Sequence, residues 1–434
     1  MKKITATLAL SLLPYYAFAG VFDALITVTN PDTQAQSSKS FSFDTANNFF
    51  DQLKEKGFKP SFPGYNSTWG VTANTVYQGV PIVVTFNEKS NTLILDIPSV
   101  GLQGKTFTGT NRSNSTKQME NYLRNDTGGT YTKILQYQVA NTPNSQIAGN
   151  PTSLQGQIVS GNFDFATNAP SATTSTSTST STSGSSAGKA TSISSANPIM
   201  VGVGGGTYTQ GGKVDISVLS VPVSKAFSIS ADDPRKKLLL NGQFNYITVG
   251  QAASYQGSLG IGYMHPLTDH WYLIPTVGYG AIGSQDLATL GQIFNTSLSS
   301  NYQFKFQGLD MGFVNMFGFY KTLPLSIKGV VSSDPNINNY VFKNGIFPSK
   351  VVSMFGHDVK VKGIFTDTEF TGSKVFVRQY NEVGIELSSV KKIGWVDRAT
   401  FGLADSLSLS GKYVFSIENP NNFEGYDIGI SYDF

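Results

Sequence analysis

A chain of 434 residues is long enough for more than one domain, yet only 14% of it is charged and the formal net charge is +3, too weak a bias to argue for a nucleic-acid partner. The absence of cysteine excludes a disulfide scaffold and thiolate metal sites. Gly 44, Tyr 20 and Phe 30 are high, as expected where strands alternate between an apolar and a watery surrounding.

At the start, Lys2 and Lys3 precede an apolar run over residues 4–13, and Ala17-Phe18-Ala19 before Gly20 has the small-x-small pattern of a secretory cleavage site. Residues 1–19 are therefore expected to be a signal peptide, with the mature chain beginning at Gly20. The run is too short to span a bilayer, and no cysteine follows it to carry a lipid. No other stretch reaches about 20 consecutive apolar positions, so residence in a membrane requires a barrel.

Residues 20–170 mix two periods, which predicts a soluble α+β domain. Asp44 is placed to cap a helix carrying Phe49, Phe50 and Leu53 on one face, with Gly57 to end it. Ile82, Val84 and Phe86 alternate, then Leu93, Leu95 and Ile97 alternate after the turn at residues 87–91, which reads as a hairpin. Ser115 and Gln118 have capping-box spacing before Met119, Tyr122 and Leu123, so a second helix is expected there. Trp69 and Tyr77 are read as core rather than as a binding surface. Residues 171–197 follow, opening on SATTSTSTSTSTSGSS; with no means of burying a core, this tract is a flexible linker that leaves the regions beside it free to move apart.

Residues 198–434 are expected to form an all-β antiparallel transmembrane barrel of about 12 strands, at 198–208, 214–229, 238–249, 254–267, 271–283, 301–320, 323–331, 358–367, 374–388, 393–403, 405–418 and 423–434. The even number puts both barrel ends on one side, with short turns at residues 268–270 and 321–324 facing the periplasm. Residues 284–300 and 332–357 are expected as longer outward loops. Tyr255, Leu259, Ile261 and Tyr263 share one face, and Gln256, Ser258, Gly260 and Gly262 the other. The lumen-facing candidates are Arg378, Glu382, Glu386, Lys412, Glu418, Asp427 and Asp433, whose charges could tune a watery passage or pair with one another to fill a narrow barrel. The filling role is the expected one.

Chemistry is sparse. His265, His270 and His357 are the only histidines; His265 and His270 flank a turn and read as rim residues, so no catalytic residue, metal site or cofactor is expected. The run GVGGG over residues 202–206 lacks the lysine and the strand-to-helix context of a phosphate loop, and instead eases crowding at a first barrel strand.

The chain ends on strict alternation: Tyr426, Ile428, Ile430, Tyr432 and Phe434 against Asp427, Gly429, Ser431 and Asp433. This ending resembles the C-terminal strand of Gram-negative bacterial outer-membrane β-barrel proteins, whose terminal Phe and alternating apolar residues are the signal read by the barrel assembly machinery. The resemblance implies an outer-membrane location and contact with outer-membrane lipid; no enzymatic activity is expected, because the hydroxyl or carboxylate activator beside a histidine that barrel enzymes need has no matching motif here, and a lipid-modifying enzyme ranks third among the readings. The expected function is a porin-like channel or a membrane anchor carrying a tethered periplasmic binding domain. The alternative is a surface adhesin or autotransporter-like protein that displays the N-terminal domain.

Overall fold

The computed structural model describes residues 21–170, 199–210, 215–327, 331–333, 335–354, 356–390, 406–417 and 422–433. The expected signal peptide, the tether at 171–197 and the candidate strand at 393–403 lie outside these residues, as do Glu418 and Phe434.

The N-terminal region builds one antiparallel sheet from β1 (Phe22–Thr29), β2 (Gln36–Phe43), β3 (Gly70–Tyr77), β4 (Val80–Phe86), β5 (Thr92–Ile97) and β6 (Leu102–Thr108), in the order β2-β1-β3-β4-β5-β6. Alternation puts Phe22, Ala24, Ile26 and Val28 of β1 and Leu93, Leu95 and Ile97 of β5 on the buried face. Against it pack α1 (Ala46–Leu53), the single turn α2 (Glu55–Phe58), α3 (Arg112–Arg124) and α4 (Thr130–Asn141). The expected hairpin is β4 and β5. Two helix starts differ from expectation: Thr45 caps α1 and Asn111 caps α3, each through its side-chain oxygen to a backbone N–H three residues on. Ser115 lies inside α3, where its hydroxyl bonds Asn91 O at 2.5 Å and ties the helix to the sheet.

Beyond the tether, β7 (Ile199–Gln210), β8 (Asp215–Ser228), β9 (Lys237–Val249), β10 (Ala252–Pro266), β11 (Trp271–Ser284), β12 (Thr289–Phe306) and β13 (Leu309–Thr322) run up and down in order. A small hairpin of β14 (Leu325–Ile327) and β15 (Val331–Ser333) stands apart. The wall resumes with β16 (Asn338–Met354), β17 (His357–Gly372), β18 (Gln379–Ser389), β19 (Ser406–Phe415) and β20 (Phe423–Asp433), and β20 pairs with β7 to close the cylinder. The closed barrel has twelve strands.

The count agrees with expectation while several strands do not. Residues 289–300 and 338–354, expected as loops, belong to the wall strands β12 and β16, and the single strand expected at 301–320 is split between β12 and β13, hinged at Gln307 and Gly308, both with positive φ. The strand expected at 323–331 is replaced by the β14–β15 excursion. The error has a physical source. Inward positions here are Asn and Ser, so β12 buries Asn295, Ser297, Ser299 and Asn301 while exposing Phe294, Leu298 and Tyr302. A strand that is polar inside and apolar outside carries loop-like composition on every second residue.

Outward faces are mostly apolar: Leu259 is 73% exposed, Ile428 64% and Tyr426 64%, with Val277, Phe317, Phe365 and Ile385 beside them, while Asn315 and Asn344 also face outward and bond each other at 2.6 Å. Trp271 packs edge-on to Tyr302, 6.4 Å between ring centroids, near one end of the band. Phe317, Phe319, Tyr340 and Phe342 cluster nearer the other, with Phe317 and Tyr340 stacked at 6.0 Å. Among the described residues no helix is long and apolar enough to cross a membrane.

The rim where β7 starts and β20 ends is called the near rim, and the opposite end the far rim. The N-terminal domain docks on the far rim. Ala46 N–H donates to Asp286 O (2.7 Å), Gln78 Nε2 to Leu287 O (2.6 Å), Tyr131 Oη to Ala288 O (2.9 Å) and Gln136 Nε2 to Pro335 O (2.9 Å). Phe376 and Val377 N–H reach back to Val139 O and Gly149 O, both at 2.8 Å. Leu287, at the tip of the β11–β12 turn, is fully buried and belongs to the same apolar cluster as Phe22 and Tyr77. Burial holds the Tyr77 hydroxyl well above the ordinary tyrosine range, so it remains a neutral donor toward Leu287 O. The freedom of movement expected from the tether is therefore absent in this arrangement. Leu287→Ala should cost about 2–5 kcal/mol of docking and packing energy, measurable as faster limited proteolysis of the N-terminal domain in detergent with the barrel still resistant.

Candidate functional site

The lumen holds a helix. Residues 144–156 are all buried and lead from the N-terminal domain into the far mouth, where Asn150 Oδ1 accepts the N–H groups of Thr152 and Ser153 at 2.9 and 2.8 Å and folds the chain tightly. Ser153 then caps α5 (Leu154–Asn168), its hydroxyl accepting from Gly156 N–H. Along its length α5 meets β9 to β13. Its last turn packs with Ala226, Leu239, Met264, Tyr272 and Ile274, residues at the near-rim ends of β8 to β11. The helix thus runs from far rim to near rim and ends where β7 begins. No lumenal helix is expected from the sequence, because residues 154–168 carry no one-sided apolar stripe.

Knobs and amides hold it there. A Cβ at Gly280 would lie 2.6 Å from Ile158 Cδ1 and 3.2 Å from Leu154 Cδ1, so the bare wall is the socket for these two side chains. Phe163 enters a second socket, 2.9 Å from where a Cβ on Gly345 would stand, with its ring 6.2 Å from that of Phe347. Between the knobs the contacts are neutral hydrogen bonds. Asn162 Nδ2 donates to Asn295 Oδ1 (2.9 Å) and Gln155 Nε2 to Asn339 Oδ1 (3.1 Å), while Asn301 Nδ2 reaches Ala166 O (2.9 Å). These bonds give each amide at least one partner, while Asn295 Nδ2, Gln155 Oε1 and Asn301 Oδ1 have none among the protein atoms.

On the other side of α5 a cavity of about 260 Å³ remains against β7, β8 and β17 to β20. Gly202, Gly204 and Gly206 of β7 leave the wall bare there, in keeping with the expected role of that glycine run. The structure brings four of the lumen candidates to this side. Glu382 is 4% exposed and sits among three donors: the buried Lys343, Thr366 Oγ1 at 2.6 Å and Lys412 Nζ at 3.1 Å. Glu386 pairs with Lys362 at 2.7 Å, and Asp427 accepts from Tyr208 Oη at 2.5 Å across the β7–β20 seam. Arg378 is exposed on the connection before β18 instead of lying in the lumen. Asp433 falls in β20 opposite Ser406, with its side chain outside the described residues. On the outer face, Tyr426, Ile428 and Ile430 are exposed as an apolar row, and Tyr432 is half-buried.

Sequence reasoning missed Lys343, because residues 332–357 were expected as a loop. Its signal is the alternation of Tyr340, Phe342 and Ile346 with Val341, Lys343 and Gly345. The ammonium stands 5.2 Å from the Phe163 ring centroid and 5.6 Å from that of Tyr380, so the plug helix roofs a buried cation. His265 lies at the near rim, 3.3 Å from Tyr263 Oη. Among the described residues no group of three or more His, Cys, Asp or Glu could hold a metal ion. The arrangement fills and braces a lumen and leaves a side cavity of mixed lining.

No family model matches this chain, and no curated protein matches it. Solved structures do. The β domain of the Bordetella autotransporter BrkA is 11% identical, over 55% of this chain and 99% of that one, at a TM-score of 0.39. The translocator domain of the autotransporter NalP from Neisseria meningitidis is 11% identical over 54% and 88%, at 0.38. The KdgM porin in complex with disordered oligogalacturonate is 9% identical over 54% and 99%, at 0.33. These are likenesses to barrels, too distant to carry a statement about activity.

Removing one member of the ion cluster tests its structural role. Glu382→Ala leaves Lys343 and Lys412 without their shared carboxylate and should cost about 3–5 kcal/mol, whereas Glu382→Gln combined with Lys343→Met and Lys412→Met should recover most of that loss. Thermal unfolding in detergent, followed by circular dichroism, separates the two.

Proposed function

We propose that this protein is an outer-membrane anchor whose barrel, plugged by its own α5, presents the N-terminal domain on the outer surface of the cell. The single observation that carries this reading is the path of α5. The helix crosses the lumen from the docked domain at the far rim to the rim where β7 starts and β20 ends. An apolar outer band flanked by aromatic side chains matches what lipid requires of a barrel. If both barrel ends face the periplasm, as the even strand count favours, the domain lies outside. This reverses the periplasmic placement expected from the sequence and favours display over a channel carrying a periplasmic receptor.

In this reading the outer-membrane lipid contacts residues such as Leu259, Val277 and Ile428, and the barrel assembly machinery engages the last strand. Chemistry is left to whatever the displayed domain binds, since the lumenal charges are engaged in pairing. The filled lumen also disfavours the porin-like alternative, because the helix with its docked domain obstructs the far mouth.

Protease added to intact cells should remove the N-terminal domain while leaving a membrane-embedded fragment. Digestion only after the outer membrane is permeabilised would place the domain in the periplasm and sink the proposal.

A further inference from the structure

The N-terminal sheet has two edges, and the chain treats them differently. An open edge presents unpaired backbone donors and acceptors, which natural sheets usually blunt with bulges, charges or covering elements. The β6 edge is blunted. Its register with β5 shifts between Leu95 and Ile97, Gly104 turns at φ +63 and donates its N–H to Asp96 Oδ1 at 2.5 Å, and α3 packs alongside. The β2 edge has no register shift and no glycine turn; the charge of Lys39 and a contact with α1 are all that blunt it. Its eight residues pair with β1 without a shift, they include no proline or glycine, and Lys39 is their one charge. Gln36, Ser37, Ser38, Lys39 and Ser40 are all exposed, and among the described residues no strand pairs with the outer side of β2.

The side chains of β2 decide which occupant fits. Lys39, Phe41 and Phe43 lie opposite Ile26, Ala24 and Phe22 on one face, with the two rings stacked 6.4 Å apart, while Ser38, Ser40 and Ser42 lie on the other. An antiparallel second copy centred on Ser40 sets Lys39 against Phe41 of the second copy, and Phe41 against its Lys39. Each ammonium then faces a ring and not its like charge, and serines face serines. A register centred on Lys39 would instead oppose two ammonium groups. We propose that β2 is a homotypic docking strand, through which two copies of this protein join edge to edge about a two-fold axis at Ser40 into one continuous sheet. The proposal is independent of which side of the membrane the domain occupies.

The chain contains no cysteine, so a single thiol can report the pairing. Residues facing each other on the axis stand about 4.5–5.5 Å apart at Cα, within the about 4.4–6.8 Å that a disulfide spans. The full chain in detergent should have the mass of a dimer. Ser40→Cys should form a covalent dimer under mild oxidation, whereas Thr106→Cys on the β6 edge should not. Ser40→Lys, an exposed change whose folding is checked by circular dichroism, sets like charges on the axis and should raise the dissociation concentration by about tenfold or more. A monomeric mass at every concentration would overturn the proposal. So would cross-linking at Ser40 no greater than at Thr106, or a dimer indifferent to Ser40→Lys.

Discussion

An inward-facing polar wall is costly to leave without partners, and that constraint organises the lumen. Twelve strands enclose more space than their own side chains fill. The inward row on β12, Asn295 to Asn301, therefore gains from water or another piece of protein to hydrogen-bond. Helix α5 supplies protein partners to Asn295 and Asn301 at the two ends of the row, while the Ser297 and Ser299 hydroxyls between them have none among the protein atoms. It answers amide with amide on the β9 to β13 side and places Ile158 and Phe163 where Gly280 and Gly345 leave sockets. On the side it does not reach, the wall satisfies itself by pairing charges, Glu382 with two lysines and Glu386 with one. Two solutions to one problem divide the lumen between them.

The same constraint fixes the N-terminal domain. Because α5 continues from α4 through the buried mouth segment, anything that seats the helix also seats the sheet above it. The barrel returns the contact by inserting Leu287 into the domain's apolar cluster. Sheet, mouth segment and plug therefore belong to one packed unit with the barrel, even though the sequence reads as two regions joined by a serine and threonine tract.

Much of this was legible from residue order alone. Strict alternation marked the outer face of β10 and β20 correctly. Glu382, Glu386, Lys412 and Asp427 were placed on the lumen side by parity, which is a robust property of a strand. What stayed hidden shares a cause. β12 turns Asn, Ser and Gly inward, β16 mixes Asn339, Lys343 and Gly345 with Val341 and Phe347, and α5 scatters Leu154, Ile158, Val159 and Phe163 among Gln, Gly and Asn, so none shows a one-sided apolar pattern and all contain the residue types that ordinarily mark loops. Lys343 disappeared with β16 for that reason, and Arg378 was assigned to a strand that begins one residue later. Hydrophobic periodicity finds faces that are wholly apolar, and this lumen mixes apolar with polar residues.

The end of α5 and the start of β7 lie at the same rim, and that has a bearing on chain integrity. A cut anywhere between Pro170 and Ile199 would sever the backbone without separating the halves, because knobs, amides and the far-rim turn would still clasp the upstream fragment. Continuity of the peptide is thus dispensable for keeping the assembly whole once it has formed, and a nicked molecule would travel as a single particle until denatured.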